Sequence, residues 1–145
     1  MNVLFLCTGN SARSILAEAL MNRLGRGRFQ AFSVGSFPKA AVHPLALETL
    51  ATHGLPAAGL RSKSWDEFAG AAAPKMDFIF TVCDNAARET CPVWPGRPAT
   101  DHWSLADPAA VEGSIDEQRR AFEATYRDLE KRIADFVRLK ADTTY

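Results

Sequence analysis

The stretch that most narrows the folds open to this chain lies near its start. An apolar run, Val3-Leu4-Phe5-Leu6, leads into Cys7-Thr8-Gly9-Asn10-Ser11-Ala12-Arg13-Ser14, and a helical pattern follows. The run does not alternate with polar residues, as expected of a central strand covered on both faces. Over residues 13–24, Leu16, Leu20 and Leu24 recur one turn apart with Ala17 and Met21 beside them, and Gly25 supplies a stop. Residues 29–34 read as a second strand. Strand, helix and strand in this order make a βαβ unit, whose crossover is expected to be right-handed.

The loop inside that unit carries chemistry. Backbone N–H groups at a helix start, with the positive end of the helix dipole, make an anion site. The expected oxyanion-binding set is Thr8, Gly9, Asn10, Ser11, Ala12, Arg13 and Ser14. Gly9 permits a tight, concave loop. Arg13 adds a planar fork matched to a tetrahedral oxyanion. Cys7 lies where the positive field is expected to lower the thiol pKa and populate the nucleophilic thiolate. Asn10 is expected to order the loop through side-chain hydrogen bonds, and Ser14 to hydrogen-bond the thiolate. A bare cysteine and arginine with five residues between them arise by chance in many chains; the strand before and the helix after single out this pair. No Gly-Lys-Ser/Thr follows, so the loop is not of the Walker type.

Further along, Pro44 suits a first helical turn, with Ala46, Leu47 and Leu50 on one face and Gly54 closing the helix. Ser64 and Glu67 have capping-box spacing and predict a short helix over 64–68. Phe78-Ile79-Phe80-Thr81-Val82 is another buried strand, with Cys83 at its carboxyl end as Cys7 is for the first. Residues 84–90 are expected to form one or two helical turns, after which Pro92, Pro95, Gly96 and Pro98 forbid regular structure. A last short strand is expected over 100–103 and a loop over 106–113. Ser114 and Glu117 repeat the capping box and open a long helix with a core stripe of Phe122, Tyr126, Leu129, Ile133 and Phe136. The alternation predicts a single-domain α/β fold over 1–145, a doubly wound parallel sheet of about four strands flanked by helices. Ligands in such sheets bind outside the carboxyl ends of the strands, so Cys7 and Cys83 are expected to face one crevice.

Composition removes other classes. Lys plus Arg and Asp plus Glu are 17 each, so no bulk charge recruits nucleic acid or a membrane surface. No apolar run approaches the ~20 residues of a membrane span, and no signal-peptide pattern opens the chain, so a cytoplasmic location is expected. Three cysteines, Cys7, Cys83 and Cys91, do not make a structural disulfide framework. Their spacing is not that of a zinc site, and no metal is expected. His43, His53 and His102 are scattered and read as solvated or core residues.

Residues 7–14 resemble the phosphate loop of the low-molecular-weight protein tyrosine phosphatases, and Asp107-Pro108 resembles their general-acid loop. The tyrosines that typically follow in those phosphatases are replaced by Ala109-Ala110. Thr81-Val82-Cys83-Asp84-Asn85 through Cys91-Pro92, and Asp101-His102-Trp103 ahead of Asp107, resemble the arsenate reductases built on the same fold. The resemblance implies that Cys7 attacks arsenate, that Arg13 and the loop amides hold the oxyanion, and that Asp107 protonates the leaving oxygen. It further implies that Cys83 attacks Cys7 and that Cys91 then attacks Cys83. The resulting disulfide would be reduced by thioredoxin, or by glutaredoxin with glutathione. Phosphate and sulfate are expected competing anions, and no bound cofactor is expected. The sequence departs from relatives in three ways. Ala12 stands where many have a second loop cysteine; seven residues separate Cys83 from Cys91 where some have six; and no acid stands around Ser62–Ser64, where some relatives use one to hold potassium. Two other readings are a phosphomonoester phosphatase using Cys7, Arg13 and Asp107 alone, and a non-catalytic oxyanion-binding or redox-sensing module.

Overall fold

Strand β1 (Asn2–Cys7) runs between two parallel neighbours, β2 (Gln30–Gly35) and β3 (Phe78–Thr81). In this computed structural model, which describes residues 1–68, 70, 73–83 and 98–142, β4 (Ala99–His102) extends the sheet beyond β3, again in parallel. The strand order is β2-β1-β3-β4. The chain therefore leaves β1 toward one side and returns on the other. The carboxyl ends of β1 and β3 flank the point where this winding reverses, the place where open α/β sheets bind ligands.

β1 is apolar throughout because both of its faces are covered: Val3, Leu4, Phe5 and Leu6 are at most 1% exposed. Phe5 stacks with Phe80, its register partner on β3, and Trp103 lies against both rings. Helix α1 (Arg13–Leu24) follows the loop, and α2 (Pro44–Thr52) follows β2. The long helix α3 (Ile115–Asp142) packs along α1 and α2, and its Phe136 meets Phe78 and Phe80. Phe32, on the opposite face of the sheet from Phe5, is covered by Phe68 from a 3-10 turn over Trp65–Phe68. No helix among the described residues is long and apolar enough to cross a membrane.

Local signals and structure part company at a few points. The leucine spacing in α1 predicts one apolar stripe, yet Ser14 through Met21 are all buried, while Leu24 is half-exposed. This helix is wedged between the sheet and α3, so every side of its first two turns is covered. Gly25 ends α1 without a left-handed φ (−96°); a Cβ there would lie 2.9 Å from the Met21 carbonyl and from Phe29, so packing selects the glycine. The Ser114–Glu117 capping box forms in both directions, with Glu117 N–H donating to Ser114 Oγ at 3.1 Å. At Ser64 only half forms: Asp66 N–H donates to Ser64 Oγ, but the Glu67 carboxylate pairs with Arg61, and the segment stays a single 3-10 turn. The turns expected over 84–90 and the proline-rich segment to 97 lie outside the described residues.

Candidate functional site

The loop between β1 and α1 is shaped by where its carbonyls go. Thr8 C=O accepts from Phe37 N–H, Gly9 C=O from Lys39 N–H, and Ser11 C=O from His43 N–H, at 2.8–3.0 Å. All three donors lie in the segment between β2 and α2. A trans peptide points its N–H opposite its C=O, so the amides of Gly9, Asn10 and Ala12 turn inward, away from that segment. α1 itself begins at an N-cap, Ala12, with no side-chain cap and no acid in its first turn. By contrast α2 is capped by His43, whose Nδ1 accepts from Leu45 N–H. The α1 start thus keeps its donors and its positive dipole end for something else, as an anion site requires.

The left-handed residue of the loop is Asn10, at φ 44°, and not Gly9. Asparagine tolerates this region when its side chain is anchored. Here Asn10 is fully buried, its Nδ2 donates to Ser14 Oγ at 2.8 Å, and its Oδ1 accepts from Lys63 N–H at 2.8 Å. Gly35 at the end of β2 lets the backbone press against the loop, since a Cβ would lie 2.5 Å from the Thr8 carbonyl oxygen. Beneath the loop sits a group that sequence reading missed. Lys63 Nζ lies 3.6 Å from Glu18 Oε1, with side chains only 6% and 12% exposed, and Ser33 Oγ donates to the same carboxylate at 2.6 Å. These residues come from α1, β2 and a loop, and no local spacing connects them.

Cys7, Arg13, Cys83 and Asp107 line one cavity of about 360 Å³, together with loop residues 8–12, Phe37, Lys39 and Ala109. A wider groove of about 760 Å³ between Glu18, Arg23, Pro56 and Leu60 holds no nucleophile. Cys7 and Cys83 are buried, and no disulfide joins them. Cys83 Sγ accepts from Thr8 N–H at 3.3 Å and lies 3.6 Å from Thr8 Oγ1. The loop's positive field alone predicts a lowered Cys7 thiol. Instead the hydrogen-bonded Cys83 thiol and burial push Cys7 above its ordinary value, against the pull of Arg13 and the Gly9 amide. The difference arises because Cys83 stands directly beside Cys7, which spacing along the chain does not reveal.

Arg13 spans the cavity wall. Its Nη1 donates to Leu105 C=O at 2.8 Å, and its Nη2 lies 3.7 Å from Asp107 Oδ2. Among the described residues its buried Nε has no hydrogen-bond partner, a donor that fits an oxyanion acceptor. Asp107 Oδ1 accepts from Ala109 N–H at 3.0 Å and caps a 3-10 turn over Pro108–Ala110. One carboxylate oxygen is thus held by the turn while the other faces Arg13. His102 bonds Thr81 through Nδ1, at 2.6 Å from its Oγ1, and so ties β4 to β3. His53 pairs with Glu123 at 2.7 Å and stacks on Tyr126, joining α2 to α3. Cys91 lies outside the described residues.

Residues 2–144 match the model of the family described as low molecular weight phosphotyrosine protein phosphatase. A protein of Halalkalibacterium halodurans named arsenate reductase is 31% identical over 134 residues, covering 92% of this chain and 93% of that protein. The crystal structure of an arsenate reductase from Archaeoglobus fulgidus superposes with a TM-score of 0.72 at 28% identity, covering 93% of this chain and 98% of that one. A thioredoxin-dependent arsenate reductase of Corynebacterium glutamicum gives 0.60 at 27% identity, covering 91% of this chain and 61% of that one.

Proposed function

Because the chain belongs to the low molecular weight phosphotyrosine protein phosphatase family, we propose that it uses the family's anion loop to reduce arsenate to arsenite. The observation that carries this reading is the Cys83 sulfur on Thr8 N–H, inside the cavity that also holds Cys7 and Arg13. Hydrolysis of a phosphomonoester needs one thiol. A second thiol beside the first gives the site two electrons to donate.

Arsenate binds to the loop amides and to Arg13. The Cys7 thiol proton passes through the bound anion to the Asp107 carboxylate, and the sulfur attacks arsenic. The leaving oxygen, protonated by Asp107, departs as water and leaves a Cys7–arsenic bond. Cys83 passes its proton to an oxygen of the bound arsenic group and attacks the Cys7 sulfur. The sulfur–arsenic bond breaks with its electron pair going to arsenic, so arsenic(V) becomes arsenic(III) and leaves as arsenite. Two thiols have become one Cys7–Cys83 disulfide. Cys91 then attacks the Cys83 sulfur, freeing the Cys7 thiolate and forming Cys83–Cys91. An external dithiol of the thioredoxin class, or glutaredoxin with glutathione, reduces that bond; exchange of this kind needs access and a good leaving thiolate. The thioredoxin-dependent relative from Corynebacterium glutamicum supports the first donor. The reaction fits a cytoplasmic, reducing setting.

Arsenite formation with thioredoxin, and separately with glutaredoxin and glutathione, tests the reading beside an aryl phosphate hydrolysis assay. Wild type is expected to make arsenite over many turnovers and Cys7→Ser to make none. Hydrolysis without arsenite in wild type would reject the reductase in favour of a phosphatase.

A further inference from the structure

Lys39 was not among the residues that the sequence motifs single out, yet it lines the same cavity as Arg13. Its backbone is fixed to the anion loop through Lys39 N–H on the Gly9 carbonyl at 3.0 Å, with the bonds from Phe37 and His43 on either side. Its stem crosses directly over Gly9: a Cβ on Gly9 would lie 3.2 Å from Lys39 Cε, 3.4 Å from Cγ and 3.5 Å from Cδ. The glycine therefore leaves the channel in which the lysine lies. The next residue, Ala40, is held at φ 68°, a left-handed conformation that an alanine adopts only under constraint. Such backbone strain gathers at functional sites. Among the described residues, no carboxylate pairs with the Lys39 ammonium.

The charges in the cavity give that ammonium a task. Arg13 already faces Asp107 at 3.7 Å, so part of its charge is balanced. The chain as a whole carries a formal net charge of 0 and offers no bulk attraction to an anion. We infer that Lys39 is the second cation of the site: its ammonium reaches the bound oxyanion and weights the cavity toward the doubly charged form of arsenate or phosphate. Lys39 then sets anion affinity and steering, while Arg13 supplies the fixed two-pronged geometry. This inference rests on the reading of the cavity as an anion site.

Calorimetric titration of the reduced protein with inorganic phosphate tests it. Lys39→Met is expected to weaken phosphate binding by about fivefold, the scale of one half-exposed ion pair. It should also flatten the dependence of affinity on ionic strength, and Lys39→Arg should restore most of both. In the arsenate assay the loss should fall on KM rather than on kcat. Phosphate affinity unchanged in Lys39→Met would overturn the inference, as would equal losses in the Met and Arg variants, since charge would then not be the cause. If wild type binds phosphate in a Lys39-dependent way but makes no arsenite, the reductase reading fails and the role of Lys39 stands.

Discussion

At the residue scale, Cys83 sets the chemistry of Cys7. The anion loop pulls Cys7 toward the thiolate, and Cys83 and burial pull it back toward the thiol. A protonated Cys7 spares an incoming oxyanion the repulsion of a thiolate, and the bound anion can itself take the proton. Removing Cys83 should therefore tip the balance. In Cys83→Ala the Cys7 pKa is expected to fall, so the pH midpoint of its alkylation by iodoacetamide should move down. An unchanged midpoint would mean that Cys83 does not control the first thiol. Chain spacing made Cys7 and Arg13 legible because a strand, a loop and a helix follow one another directly. The pairing of β1 with β3 brings Cys83 close enough to hydrogen-bond Cys7, and that effect on the first thiol was not legible, because the sequence places both residues at one crevice without giving their contact.

At the scale of elements, the loop rests on a buried charged group contributed by three segments. Burial holds the Glu18 carboxyl above its ordinary value of 4.5, with Ser33 and Lys63 pulling it back down. A raised value in the folded protein means that above pH 4.5 the folded state keeps more protons than the unfolded chain. Stability is then fully present below that pH and is lost as pH rises through the folded value. Glu18→Gln keeps the Ser33 partner and removes this titration. Denaturant unfolding across pH should show wild type losing stability relative to the variant as pH rises from about 4.5 toward neutrality. Parallel profiles for the two proteins would contradict the assignment. The elements themselves were largely legible: β1 and β3 by their unbroken apolar runs, and α3 by its stripe, where Phe122, Leu129 and Ile133 are fully buried. What escaped was tertiary. The capping box at Ser64 lost Glu67 to Arg61, and the stripe on α1 became a helix whose residues 14–21 are all buried.

For the whole molecule, the strand order is what turns separate motifs into one site. Because β1 lies between β2 and β3, the winding reverses at the carboxyl ends of β1 and β3, and Cys7 and Cys83 are delivered to one cavity. The segment Ala106–Pro108 then lays Asp107 beside Arg13. Parallel strands were inferable from the helices between them; Lys39 and Lys63 were not, since each reaches the loop from a segment with no motif of its own. The central claim is that this cavity passes two electrons from thiols to arsenic. It is tested most directly by reducing the protein, removing all external reductant, adding excess arsenate, and counting arsenite and remaining thiols. The account predicts one arsenite per protein and the loss of two thiols, with Cys83–Cys91 as the disulfide in wild type and Cys7–Cys83 in Cys91→Ser. No arsenite with all three thiols intact would contradict it.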